Sequence, residues 1–315
     1  MTKIMIRILS LLFIFIVSFS IFAANKELDK QLRLAAMIDD DQHLEQLLAQ
    51  GADVNSANKF GKTALMFAVE NGNLLTVSIL LARGADVNIK TVANCTALTF
   101  AAENGEMEIT SVLLERGADL NVRTRAGWNS LMIASRYGQT EMVKQLLFKN
   151  ANPDETDKNG LTALMMAAAQ GHKDIIEILL KNDAKVQVQD KDGKTALIYA
   201  AESGKSNESI ILLLKHGARI DHQSIDGATP LIWAAGQGNE NTVYLLLSYN
   251  ANINAQDKQG TTALMEAITV RSVEAVRELI NRGANQAIKN YNGKQAVDIA
   301  NKHRDDKIRS MLTSK

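Results

Sequence analysis

Cysteine is almost absent from this sequence: Cys95 is the one thiol in 315 residues. A single cysteine excludes an intramolecular disulfide framework and any multi-cysteine zinc site. Proline is nearly as scarce, with only Pro153 and Pro230, and aromatic residues make up 5%. That shortage suits a helix-rich chain better than a β-sandwich. Neither charge is in excess, since 35 Lys+Arg face 35 Asp+Glu. A nucleic-acid-binding domain driven by bulk electrostatics is usually strongly basic, so the charge balance argues against that class. What the chain does have is apolar content, 46% of residues. This is ample for a packed core and argues against disorder.

The first residues read as an address. Lys3 and Arg7 precede an uncharged run from Ile8 to Ala24 built of Ile, Leu, Phe, Val, Ser and Ala. A basic start, an apolar stretch and small residues at its end describe a secretory signal peptide. Cleavage after Ala23 is expected, which assigns 1–23 to the signal and leaves 33 basic and 35 acidic residues, net −2. An uncleaved anchor is the competing reading, although seventeen uncharged residues lie at the lower edge of what spans a bilayer.

The remainder repeats. Gly51-Ala52-Asp53, Gly84-Ala85-Asp86 and Gly117-Ala118-Asp119 lie 33 residues apart. The series continues at 150, 183, 217, 250 and 283, with one step of 34 residues between 183 and 217. A second series runs in phase at Gly61, Gly127, Gly160, Gly193, Gly227, Gly260 and Gly293, with Asn94 in the one vacant place. After each of the first seven positions comes a motif such as Thr63-Ala64-Leu65-Met66 or Thr162-Ala163-Leu164-Met165.

One unit, 160–192, shows the physics. Gly160 closes a polar turn, where positive φ is easy for glycine. Thr162 is placed to cap a first short helix, its hydroxyl accepting from an orphan backbone N–H. Gly171 ends that helix. Ile175, Ile176, Leu179 and Leu180 then mark one face of a second helix. Such a unit cannot bury its own apolar face and must stack on its neighbours.

With this period and these motifs the chain resembles the ankyrin repeat family, over roughly residues 27–315. The resemblance implies an all-α solenoid of stacked helix-turn-helix units with turn tips on one edge. Seven repeats start at 61, 94, 127, 160, 193, 227 and 260 and fill 61–292. An N-terminal cap (27–58) and a C-terminal cap (293–315) flank them. The N-terminal cap is expected to turn Leu32, Leu34, Ala35 and Ala36 inward. In the last unit the run from Asn301 to Lys307 is expected to stand in place of an apolar second helix. The family's motif histidine is missing throughout: Met66, Thr99, Met132, Met165, Ile198, Ile232 and Met265 occupy its place, so apolar packing should replace a Thr–His hydrogen-bond network. The extra residue of the 34-residue step lies between Gly204 and Ile210, in a turn. Arg271 stands where six other repeats have glycine, so that turn should be strained or re-formed.

No constellation of catalytic residues converges. There is no glycine-rich phosphate loop and no nucleophile elbow. The histidines are scattered; His216 and His222 are close in sequence but lack a further ligand at metal spacing beyond Asp221 and Asp226. Cys95 sits at a tip with no histidine beside it. Asp39-Asp40-Asp41 lacks the rest of a calcium loop. The sequence therefore predicts no enzyme, no cofactor and no metal.

What the resemblance implies instead is a protein partner held by the turn tips and the ends of the first helices. Those positions include Lys62, Glu70, Glu103, Lys194 and Glu202. The third repeat stands out, with Arg125, Trp128, Arg136 and Tyr137, because Trp, Tyr and Arg dominate interface hot spots. The competing reading folds the Trp128 ring down over neighbouring tips. Trp233 follows Ile232 within its helix and is read as packing between repeats. The expected protein is a non-enzymatic, monomeric scaffold, periplasmic or secreted and free of membrane once its signal is removed. It would bind a protein partner on a concave face, with Glu70 and Glu103 making the surface mixed in charge. The Ile/Lys/Asn-rich composition points to a bacterial source. A secreted effector acting on host proteins, or an accessory factor assisting a periplasmic enzyme, are the alternatives.

Overall fold

The structure, a computed structural model, describes residues 25–303 and 305–313. Residues 1–23, expected from the sequence to be a signal peptide, lie outside the described residues. The chain divides into two compact units, Met1–Arg125 and Ala126–Lys315. All regular structure among the described residues is helical, apart from one isolated antiparallel bridge between Ala57 and Thr63.

In the first unit the helices pair as α1 (25–38) with α2 (Asp41–Ala49), α3 (Ala64–Glu70) with α4 (Leu74–Ala82), and α5 (Ala97–Asn104) with α6 (Met107–Glu115). The second unit holds α7 (Ser130–Tyr137) and α8 (Thr140–Phe148), α9 (Ala163–Gln170) and α10 (Lys173–Lys181), and α11 (Ala196–Ser203) and α12 (Asn207–Lys215). It continues through α13 (Pro230–Gly236) and α14 (Glu240–Ser248), α15 (Ala263–Thr269) and α16 (Val273–Asn281), and α17 (Ala296–His303) and α18 (Asp306–Thr313). First helices pack on first helices and second on second, as in α7–α9–α11–α13–α15 and α8–α10–α12–α14–α16. The fold is the all-α stack of helix pairs that the repeat period implies.

Local chemistry explains the regularity. Thr63, Asn129, Thr162, Thr229 and Thr262 each cap a first helix by accepting from the backbone N–H three residues on. In the second helix of the fourth repeat, Ile175, Ile176 and Leu179 are fully buried and Leu180 nearly so. First helices are buried almost all round: every residue from Ala163 to Ala168 is inside. The motif positions Met66, Met132, Met165, Ile198, Ile232 and Met265 are buried side chains that pack where the family has histidine. Thr99 is different. Its hydroxyl accepts from the Thr96 N–H and donates to the Thr96 carbonyl, both at 2.8 Å, so the substitution there is polar rather than apolar.

Two ladders tie repeat to repeat within each unit. At the tips, one backbone N–H donates to the preceding tip: Val92 to Phe60, Lys191 to Asn159, Ile225 to Asp192, Lys258 to Asp226 and Tyr291 to Gln259, at 2.8–2.9 Å. Gly193 shows why glycine stands there. Its φ is +72°, and a Cβ on it would lie 2.9 Å from the Ile225 backbone nitrogen. On the opposite loops, Asn55, Asn88, Asp154, Asp221 and Asn254 each accept from a backbone N–H 31 residues later. Asn94, Asn150, Asp183 and Asn250 hold positive φ of 61–65° where other repeats use glycine, a conformation that Asn and Asp tolerate best among non-glycine residues.

Two expectations, for Leu34 and for the last unit, need correction, while the turns at Lys205 and Arg271 fall within what was expected. Leu34 is not inward-facing but 49% exposed, while Leu32, Ala35 and Ala36 are buried. On a helix, two residues from Leu32 is 200° of rotation, so the two leucines cannot share a face. In the last unit the polar run does not replace the second helix. α17 runs through Asn301 and Lys302, and α18 follows and buries Ile308 completely. Met311 and Leu312, three and four residues after Ile308, complete a stripe that the polar run obscures. The extra residue of the 34-residue step is Lys205, between the αL cap Gly204 and the N-cap Ser206. Arg271 adopts φ +60°, so that turn keeps the glycine conformation and carries its strain.

Candidate functional site

Three places recur along one edge of each repeat: the residue after the tip position, the residue five further on in the first helix, and the residue three beyond that. In the first repeat these are Lys62, Phe67 and Glu70. The Lys62 ammonium pairs with the Glu70 carboxylate and lies 4.3 Å from the centroid of the Phe67 ring and 5.0 Å from that of Phe100 in the next repeat. In the fifth repeat they are Lys194, Tyr199 and Glu202. The Lys194 ammonium is 2.8 Å from the Glu202 carboxylate, 5.5 Å from the Tyr199 centroid and 3.5 Å from that of Trp233 in the next repeat. The lysine side chains are only 16% and 14% exposed. A cation over an aromatic face gains from the ring quadrupole, and more so when water is excluded. Lys62, Glu70, Lys194 and Glu202, mapped from the sequence as recognition positions, are thus engaged with one another.

The third repeat exchanges the roles. Trp128 stands in the lysine place and Arg136 in the glutamate place. The Arg136 guanidinium lies 5.1 Å from the Trp128 ring centroid. The indole Nε1–H donates to Asp157 Oδ2 at 3.0 Å, which fixes the half-buried ring against the next tip. Tyr137 is 48% exposed at the helix end. His172 supports the same end, its Nε2–H donating to the Arg136 carbonyl at 3.1 Å. Of the residues singled out from the sequence, Trp128 and Arg136 are in contact and Tyr137 is adjacent in the chain. Arg125, Glu70 and Glu103 belong to the first compact unit, where Arg125 Nη2 donates to the Val92 carbonyl at 3.0 Å.

Other side chains carry no converging chemistry. His222 Nε2–H donates to the Gly193 carbonyl and His216 Nδ1–H to the Leu212 carbonyl, both at 2.9 Å. These are structural roles. Among the described residues no three His, Cys, Asp or Glu side chains are grouped to hold a metal ion, and no helix is long and apolar enough to cross a membrane. Burial raises the Tyr199 phenol, helped by its hydrogen bond to Asp190. Burial also raises the Glu266 carboxyl, with the Asp257 charge adding to it.

The lysine device was legible at its spacing, because Lys, an aromatic and Glu recur at the first, sixth and ninth places of two repeats. The sequence reading treated the three as separate exposed positions and missed the clamp they form.

A family model described as ankyrin repeats matches residues 32–124, 131–224 and 206–290. No curated protein matches the chain.

Proposed function

Because the chain belongs to the ankyrin repeat family, a family of generally non-enzymatic protein-binding scaffolds, we propose that it is an exported scaffold that holds a protein partner on the first-helix edge of its third repeat. The observation that carries this reading is the Arg136 guanidinium stacked on a Trp128 ring whose N–H is anchored to Asp157. An aromatic and a guanidinium fixed before binding lose little freedom on association. The guanidinium keeps donors for a partner carboxylate. Tyr137 adds an exposed amphipathic ring. The basic start and uncharged run at the N-terminus support export to the periplasm or beyond, with removal of 1–23.

A crosslinking pull-down from native cells, with this chain as bait, supplies the partner. Tyr137→Ala should then weaken binding by about 1–2 kcal/mol while leaving the unfolding midpoint in place. Trp128→Ala should lose about 2 kcal/mol of affinity or more, along with stability from its lost hydrogen bond. Full affinity in both variants would move the site elsewhere. N-terminal sequencing of the exported protein tests the cleavage, and a chain that still begins at Met1 would refute it.

A further inference from the structure

The sixth repeat lacks the clamp that the first and fifth possess. Its three edge residues are Ala228, Trp233 and Gly236: the lysine place has shrunk to a methyl group and the glutamate place to a hydrogen. In the seventh repeat the aromatic place is taken by Glu266. Where Lys194 reaches across from the fifth repeat to the sixth, no basic side chain among the described residues lines the corresponding place between the sixth and the seventh. A cavity of about 370 Å³ opens there, lined by Ala228, Trp233 and Gly236 from the sixth repeat, by Asp257 and Gln259 from the turn that leads into the seventh, by Glu266 from the seventh, and by Asp226.

The charge in this cavity is one-sided. Asp226, Asp257 and Glu266 line it and no basic side chain does. Lys258 lies at the adjoining tip and is exposed. Lys194 sits on the Trp233 ring from the fifth repeat and is neutralised by Glu202. The Glu266 carboxylate has no hydrogen-bond or ion-pair partner among the described residues. Its burial and the nearby Asp257 charge both disfavour the carboxylate, so a cation brought into the cavity would relieve both. Asp257 Oδ1 is committed to the Gln259 and Thr261 N–H groups. Its counterparts Asp157 and Asp190 also use Oδ2, for Trp128 and Tyr199. Asp257 Oδ2 has no such internal donor.

We propose that this cavity is a docking pocket for an arginine side chain of the protein partner, its guanidinium lying against the Trp233 ring and shared by the Glu266 and Asp257 carboxylates. The molecule supplies the precedents itself: Lys62 and Lys194 place a cation at this register in two other repeats, and Arg136 stacks on Trp128 in a third. In the sixth repeat the cation comes from outside. A planar fork of donors fits two carboxylates better than a point charge does. The inference rests on the scaffold reading only in taking the cation to be a protein's; the pocket is separate from the third-repeat surface.

The test is a titration of the whole chain with the tripeptide Ac-Gly-Arg-Gly-NH2, followed on the indole N–H resonances. The two tryptophans are told apart with Trp128→Phe. The Trp233 resonance should shift saturably, and the neutral citrulline tripeptide should bind at least about tenfold more weakly. Glu266→Gln should weaken arginine binding at least about tenfold. Ala228→Lys, which restores the internal cation, should abolish it. Unfolding midpoints measured on the same samples confirm that both variants are folded. The proposal is overturned if the resonance does not move, if citrulline binds as well as arginine, or if folded Ala228→Lys still binds. None of these outcomes depends on the third repeat, and loss of the native partner in Tyr137→Ala would leave this titration unchanged.

Discussion

In the fifth repeat the residue after the tip glycine is Lys194, and in the sixth it is Ala228. The backbones around them are alike: each tip donates one N–H to the tip before it, and each first helix stacks on its neighbours. The surfaces are opposite. The fifth repeat satisfies its own charges, with ammonium, carboxylate and ring closed on one another. The sixth leaves a ring, a hollow and unpaired carboxylates. A repeat fold keeps its stacking contacts inside and lets the outer edge vary, so a clamp that stabilises one unit can be removed from the next without disturbing the helices. The difference teaches that a missing internal contact in a repeat is informative when its neighbours possess it.

The comparison breaks most severely at Lys194. Lys194→Met removes the ammonium from the Tyr199 and Trp233 rings and leaves Glu202 without its ion pair. A loss of about 1.5–3 kcal/mol is expected, read as a lower urea midpoint. An unchanged midpoint would make the clamp a surface ornament and remove the basis for contrasting the two repeats. A smaller pair of effects sharpens the contrast between the sixth and seventh repeats, which place glycine in opposite senses. Gly236 lies in ordinary helical backbone, and an added Cβ would meet Glu266 Oε2 at 3.4 Å, a normal contact. Arg271 lies at φ +60°, where glycine belongs. Gly236→Ala and Arg271→Gly should therefore each stabilise by about 0.5–1 kcal/mol. A fall in midpoint for Arg271→Gly would show that the arginine makes compensating contacts.

The most delicate probe is Glu266. Its folded-state carboxyl titrates above the ordinary value, through burial and then Asp257. Between the ordinary value and the raised one, the folded chain binds more protons than the unfolded chain. Stability therefore falls as pH rises through that window and stays reduced above it. Glu266→Gln should raise the thermal midpoint at pH 7 and confer no such gain well below pH ~4. A gain that persists in acid would assign the effect to packing instead of charge.

Much of the fold could be read before any coordinates. The 33-residue phase, the capping threonines and the apolar stripes each name a local cause, and all point to the same stacked pairs. Leu34 and α18 were misread because a cap breaks the repeat's register, so position had to be judged from rotation about the helix axis alone. The edge was harder. Trp128 is anchored by Asp157, 29 residues away, and Trp233 carries Lys194 from 39 residues before it. Such contacts join adjacent repeats and leave no pattern within a single one. Trp233 was expected to pack between repeats. It does, but it also walls a cavity that exists because of two small residues, Ala228 and Gly236, that carry no signal by themselves.

The tip ladder offers a way to watch repeats separate. Lys191, Ile225, Lys258 and Tyr291 have exposed side chains, yet each donates its backbone N–H to the previous tip. Their amides should exchange slowly with deuterium despite sitting in surface turns. Each would lose protection only when its own pair of repeats undocks. The four amides thus form a set of isotopic clocks, one per junction, that time where the stack opens first.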